Sequence, residues 1–253
     1  MVTAALWGLV QGLTEFLPVS SSGHLVLVPA LLGIDEPDLA TSAVLHLGTL
    51  LAVLWYFRRE LFGLLRHPAT AENRRLWKFL IIGTIPAAVI GLTLRSPIEV
   101  VFTEPWIVAI CLVITGVILL AAHRLADGER RVADVTTGDA AIMGMAQAFA
   151  LLPGISRSGM TITGGLVQGM SRPEAARLGF LLGVPAILGA GGLELLDLID
   201  QGGFDAEVLV GMVVAAASGY FAIATLIRII GHFGLLPFAL YCIGFGALAY
   251  FLV

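Results

Sequence analysis

The sequence predicts an all-α integral membrane protein of six transmembrane helices and two re-entrant helical hairpins, arranged as an inverted internal repeat. Three observations carry that prediction. Of 253 residues, 58% are hydrophobic and 13% charged, with a mean hydropathy of +0.96, against roughly 25% charged in soluble domains. Several apolar runs reach the roughly 20 residues that cross a bilayer. Finally, one polar stretch, Gln11-Gly-Leu-Thr-Glu15-Phe-Leu-Pro18-Val-Ser20-Ser21-Ser22-Gly23-His24, returns in altered form as Gln147-Ala-Phe-Ala-Leu-Leu-Pro153-Gly154-Ile-Ser156-Arg157-Ser158-Gly159.

The first hairpin is read from its brevity. The apolar run before Pro18 is interrupted by Gln11 and Glu15, and the run from Leu25 to Gly33 is shorter still. At about 1.5 Å per residue neither crosses a membrane alone. Two half-length helices joined by a Pro/Ser/Gly break make a re-entrant hairpin, tolerated at depth only where protein or a watery cavity covers the exposed backbone. The acidic segment Asp35 to Asp38 then reaches an aqueous face. Full spans are expected at roughly 39–57, 76–95 and 105–124. A second broken segment covers 139–169, with its break from Pro153 to Gly159, and three more spans follow at roughly 174–197, 208–230 and 237–253.

Charge sets the orientation. Arg58, Arg59, Arg66, Arg74, Arg75, Lys78, Arg124, Arg130, Arg131, Arg172, Arg177 and Arg228 fall on one side of this topology. Asp35, Glu36, Asp38, Glu99, Glu104, Asp197, Asp200, Asp205 and Glu207 fall on the other, with Arg95 the one cation among them. The positive-inside rule makes the basic side cytoplasmic, so both termini and the first hairpin's entrance are expected outside. A gapless shift of 136 residues superposes Gln11 on Gln147, Ser20 on Ser156, Ser22 on Ser158, Gly23 on Gly159, Gly33 on Gly169 and Pro37 on Pro173. The chain therefore reads as a single membrane domain, 1–253, with repeat 1 at about 1–124 and repeat 2 at about 139–253. Each repeat holds three spans, an odd number, so the second inserts upside-down, and such repeats place a polar site near the midplane where their breaks meet.

Composition excludes some classes. No basic cluster interleaved with aromatics marks a nucleic-acid binder. Cys111 and Cys242 lie inside apolar runs and read as small core residues. The start, Met1-Val-Thr-Ala-Ala-Leu, lacks a basic region and cleavage site, so no removable signal peptide is expected. Small-residue stretches such as Gly189-Ala-Gly191-Gly192 permit close helix contacts, compatible with a homodimer.

Ionisable groups at membrane depth are costly and by default mark a functional site. Glu15, His24 and Arg157 are three of them. Gln11 and Glu15, four apart, share one helix face. Arg157 offers a planar fork of donors suited to phosphate or carboxylate. Ser20, Ser22, Gly23, Ser156, Ser158 and Gly159 add donors beside the helix N-termini that follow each break. Each has a plainer reading beside this one. Glu15 and Arg157 also fit a buried ion pair joining the hairpins, His24 a core imidazole bonded to backbone, and the serines hydroxyls bonded back to their own helices. Thr161 and Thr163 read as packing residues, and His46, His67, His123 and His232 as interfacial groups near span ends.

Glu15-Phe-Leu-Pro-Val-Ser-Ser-Ser-Gly-His24 and Pro153-Gly-Ile-Ser-Arg-Ser-Gly-Met-Thr161 resemble the two signature motifs of the undecaprenyl-diphosphate phosphatase family, also called the bacitracin-resistance family. The resemblance covers nearly the whole chain in length, span count and motif order. It implies a cell-membrane, multi-pass enzyme, and the charge count opens its expected site to the extracytoplasmic side. The implied reaction converts a polyprenyl diphosphate lipid to its monophosphate, recycling the carrier for cell-wall polymers with the help of a divalent cation. By position it implies catalytic roles for Glu15 and His24, a nucleophilic role for Ser21, phosphate binding by Arg157, and polar contacts from Ser156, Ser158 and Thr161. Gln11 stands where a second glutamate is common, which disfavours a two-carboxylate cage and leaves Glu15 as the main protein ligand for Mg²⁺ or Ca²⁺, hard cations that prefer oxygen. Two versions of the chemistry stay open: Ser21 attacks with His24 as base, or His24 or Glu15 activates water. The rival class is a transporter or lipid flippase, because midplane breaks in inverted repeats are how secondary transporters are built.

Overall fold

A computed structural model describes residues 1–125, 127–200 and 206–253. Asp205, counted above among the outer acidic residues, lies outside them. The described residues form twelve α-helices and one 3-10 turn. These are α1 (Val2–Phe16), α2 (Ser21–Leu32), α3 (Leu39–Tyr56), α4 (Arg58–Arg66), α5 (Ala71–Thr93) and α6 (Arg95–Phe102), then α7 (Pro105–His123), the turn Val132–Asp134, α8 (Thr137–Phe149), α9 (Arg157–Val167), α10 (Arg172–Asp200), α11 (Ala206–Phe233) and α12 (Leu236–Leu252). Each expected span is a single helix, and each expected hairpin is a helix–break–helix pair, α1/α2 and α8/α9.

Four helices, α5, α7, α10 and α11, contain stretches long and apolar enough to cross a bilayer; α3 and α12, with 18 and 17 residues, are shorter. The outward faces are those of a protein solvated by lipid. Along α5, Ile81, Ile85, Val89 and Leu92 form one stripe of side chains between 52% and 71% exposed, a contiguous apolar surface that water would penalise and lipid does not. The protein is a multi-pass membrane protein. The connectors hold helices that the charge count alone did not separate from loop: α4 begins and ends with arginines, and α6 carries the pair Arg95–Glu99 at i,i+4.

The breaks are made by local chemistry. Pro18 disfavours helical backbone at the residue before it, and Leu17 accordingly turns extended, with ψ 142°. Ser20 then caps α2, its Oγ accepting the Gly23 N–H at 3.2 Å. In the second break Gly154 takes φ +89°, a region where glycine carries no steric cost. Ser156 caps α9 by accepting the Gly159 N–H at 3.2 Å. Helix therefore starts at Ser21 and at Arg157, earlier than the sequence expectation of breaks running to Gly23 and Gly159. Among non-glycine residues described, only Ser20 has positive φ, +67°, an uncommon conformation that persists where neighbours enforce it.

Helix packing is reciprocal between the halves. α1 packs on α11, while α8 packs on α5, and these pairs exchange under the 136-residue shift. Both contacts depend on close backbone approach through small residues. A Cβ on Gly12 would stand 2.5 Å from the Ala215 carbonyl oxygen, and one on Gly144 2.6 Å from that of Gly83. The N-terminal ammonium pairs with Glu207 at the start of α11, so the chain begins beside the end of α11 from which that helix departs.

Candidate active site

The two breaks meet. Ser158 Oγ on α9 donates to the Leu17 carbonyl at 3.0 Å, and a Cβ on Gly23 would lie 3.3 Å from Gly154 Cα. Glu15, on the last turn of α1, is 7% exposed. Its Oε1 accepts from Nη2 of Arg157, the first residue of α9. Its Oε2 accepts from Gln11 Nε2 at 3.0 Å and from the Ser21 hydroxyl. Arg157 Nη1 donates to the Gly183 carbonyl on α10 at 3.1 Å. One carboxylate thus gathers the arginine of the second break and the serine of the first. Two of five guanidinium N–H groups are spent in this way, which leaves donors for an anion.

A family described as bacitracin resistance protein BacA matches residues 4–248. The chain belongs to the BacA family. It is 40% identical to a protein of Trichlorobacter lovleyi over 97% of the chain and 94% of that relative. It is 40% identical to one of Gemmatimonas aurantiaca over 98% and 96%, and 42% identical to one of Geobacter sulfurreducens over 94% and 93%. All three relatives are named undecaprenyl-diphosphatase.

In this BacA-family chain the remaining polar residues of the motifs divide by position. Ser20 and Ser156 are N-caps, and the Gly23 and Gly159 amides are the groups they satisfy. Ser22 lies 3.3 Å from Ser20 Oγ, and Ser158 lies 3.2 Å from Ser156 Oγ. Thr161 donates back to the Arg157 and Ser158 carbonyls at 2.9 and 3.2 Å, the local bonding that hydroxyls in membrane helices commonly adopt. These seven shape the breaks. Partial exposure is kept by Ser21, Ser22 and Arg157.

His24 is placed away from Ser21's hydroxyl bond. Its Nδ1 meets the Ser20 carbonyl at 2.8 Å and its Nε2 the Tyr241 hydroxyl at 2.7 Å. The ring stacks on Tyr241 and Phe245 of α12, with centroids 5.7 and 5.1 Å away. Both nitrogens are engaged, and the ring braces the strained Ser20 from behind. The imidazole on Glu15's side is His46 of α3, whose Nε2 lies 3.9 Å from Glu15 Oε2.

Sequence reasoning missed four contributors: His46, Thr115, Gly183 and Tyr241. Thr115, fully buried in α7, donates to the Gly154 carbonyl at 2.9 Å and accepts from the Ser156 N–H at 3.1 Å. It pins both ends of the second break. Thr115→Val keeps the shape and strands both backbone groups, each costing about 1–3 kcal/mol when unpaired. We expect it to lower stability by about 2–4 kcal/mol, read as a fall in the thermal unfolding midpoint in detergent. A midpoint unchanged within error would show the two groups to be satisfied otherwise.

Proposed function

We propose that the chain is an undecaprenyl-diphosphatase, hydrolysing the lipid diphosphate to the monophosphate and inorganic phosphate and so recycling the carrier for cell-wall synthesis. The observation that carries the site assignment is the convergence on Glu15 of Arg157 from one break and Ser21 from the other.

Arg157 binds the terminal phosphate with its remaining N–H groups and stabilises the charge that develops during transfer. Ser21 is the nucleophile. Its Oγ attacks the terminal phosphorus, its proton passes to Glu15 Oε2, and the bond to the bridging oxygen breaks with the electron pair leaving on the lipid monophosphate. Water then attacks the phosphoserine phosphorus, the P–Oγ bond breaks, Ser21 Oγ takes back the proton held by Glu15, and inorganic phosphate leaves. His24 holds Ser20, and with it the start of α2, in place for this attack. The six spans and two hairpins run as the charge count orders them, with both termini and the site's opening on the extracytoplasmic side.

The residues fit a divalent cation held jointly with substrate. Among the described residues no three His, Cys, Asp or Glu side chains gather as a metal cage. Gln11 Oε1, however, is a buried oxygen with no hydrogen-bond partner on the residue that bonds Glu15. Mg²⁺ and Ca²⁺ take oxygen ligands, and Mg²⁺ often takes only one or two from protein beside substrate phosphates. Glu15 and Gln11 would hold the ion, which supplies neutralisation of the diphosphate's charge.

The test is phosphate release from undecaprenyl diphosphate by the purified chain in detergent, where no gradient exists. We expect release, with a phosphoserine at Ser21 trapped by acid quench. Movement of lipid between leaflets without release would replace the hydrolase by a flippase. Release at full single-turnover rate in Ser21→Ala would transfer the attack to water.

A further inference from the structure

A groove of about 740 Å³ runs along the outside of the bundle between α3 and α11. Leu51 and Trp55 wall it on one side and Val213 and Tyr220 on the other, over small side chains that include Ala52 and Ala217. The four wall residues are exposed, while Ala52 is buried. Moving the two helices together cannot close this slot. A Cβ on Gly48 would stand 2.4 Å from the Met212 carbonyl oxygen, and one on Gly219 3.2 Å from Ala52 Cβ, so the helices are already in close contact beneath it. Tyr56 then meets Tyr220 with centroids 5.4 Å apart. Both helices therefore advance together along the groove, toward the start of α4.

That end is charged. Arg58 Cζ lies 4.7 Å from the Trp55 ring centroid, and its Nη1 donates to the Trp55 carbonyl at 2.8 Å. Arg59 beside it is exposed and makes no hydrogen bond or ion pair with any described residue. The nearest acid in sequence, Glu60, spends both oxygens on Arg177, at 2.8 and 3.0 Å. Two guanidinium groups without a counter-charge thus stand at one end of an apolar slot.

We propose that this groove, with Arg58 and Arg59, binds one anionic phospholipid, an acyl chain lying in the slot and the headgroup phosphate on the two arginines. Arg58 keeps four of its five N–H groups after the bond to Trp55, and Arg59 keeps all five, enough for forked holds on phosphate oxygens. The depth is right for a headgroup. The 18 residues of α3 rise about 27 Å, near the roughly 30 Å of a hydrocarbon core, which brings Trp55 and Tyr56 to the interface where such rings gather. Beyond them Phe62 and Leu65 are exposed on α4, a short helix that begins and ends with arginine and so suits a membrane surface. Net negative charge is favoured because the choline of a zwitterionic lipid would approach the same two cations. No residue of this site belongs to the cluster at Glu15, so the assignment holds whichever reaction the chain performs.

The experiment titrates phosphatidylglycerol and phosphatidylcholine with the same acyl chains onto delipidated, full-length protein in detergent and counts retained lipid by native mass spectrometry. The parent should hold one phosphatidylglycerol about tenfold or more tighter than phosphatidylcholine. Arg58→Gln combined with Arg59→Gln should abolish that preference. Arg74→Gln combined with Lys78→Gln, which removes the same charge from exposed positions elsewhere, should leave it. Ala217→Trp fills the slot from an exposed position and should lose the tightly held lipid with both arginines intact. Thermal unfolding of the same samples shows that each variant is folded. Equal retention of the two lipids by the parent, a preference that survives loss of Arg58 and Arg59 or falls as far with Arg74 and Lys78, or tight lipid kept by Ala217→Trp would each overturn the assignment. Displacement of phosphatidylglycerol by a polyprenyl monophosphate at lower concentration would give the groove to an isoprenoid lipid and overturn it as well.

Discussion

Arg157→Lys should lower kcat/KM for phosphate release about a thousandfold, in a protein that still folds. The guanidinium holds the Glu15 carboxylate through Nη2 and the Gly183 carbonyl through Nη1, and it still has N–H groups to give. A lysine ammonium is a point charge on a flexible stem. It satisfies Glu15 and cannot at the same time span to α10 and grip a phosphate. Glycine at 183 makes the fit possible, since a Cβ there would stand 2.5 Å from Nη1 and 3.1 Å from Cζ. The charge survives the substitution, so the unfolding midpoint should move little. A variant retaining activity within tenfold would show that charge alone, and not the fork, is what the reaction uses.

Glu15→Gln should be worse for the fold and as severe for turnover. The amide leaves Arg157 without its counter-ion in a site where Glu15 is 6% and Arg157 21% exposed. Breaking such a pair from one side costs about 3–5 kcal/mol. Ser21 loses the carboxylate that would take its proton, so activity should fall by about two to three orders of magnitude. A second substitution separates the two effects. Adding Arg157→Leu to Glu15→Gln removes the stranded charge, and should return part of the lost stability and none of the activity. If the double variant is less stable than Glu15→Gln, the pair is not the unit described here.

How much of this could be read from residues alone depends on how each contact is made. The Glu15–Arg157 meeting was legible because the two breaks are related in sequence, and an inverted arrangement of the halves, as the charge count reads it, would bring them face to face whatever the side chains do. The caps at Ser20 and Ser156 were legible as motif positions, but not as caps, since a hydroxyl near a break serves a ligand or an amide equally well. His46, Thr115 and Tyr241 were out of reach. Each sits on a helix remote in sequence, and nothing in its own neighbourhood marks the face it turns inward. Gly183 was hidden for the opposite reason: its contribution is a carbonyl and an empty volume, and neither has a residue type. Four of the expected spans were legible from apolar length, whereas α4 and α6 needed the connectors' own amphipathic pattern to be weighed separately from their charge.

The dependence of α1 on α11 has a consequence for biogenesis. α1 is made about 200 residues before α11, the helix it packs against, through Gly8 and Gly12 against Gly211, Ala215 and Gly219. At about 5–20 residues per second of synthesis, Gln11 and Glu15 wait roughly 10–40 s in the membrane before their helix finds its partner. Arg157, which neutralises Glu15, is made before α11. Charge pairing between the two breaks can therefore precede helix docking, and the contact proposed to serve the reaction would hold α1 and α2 in the bilayer until α11 arrives.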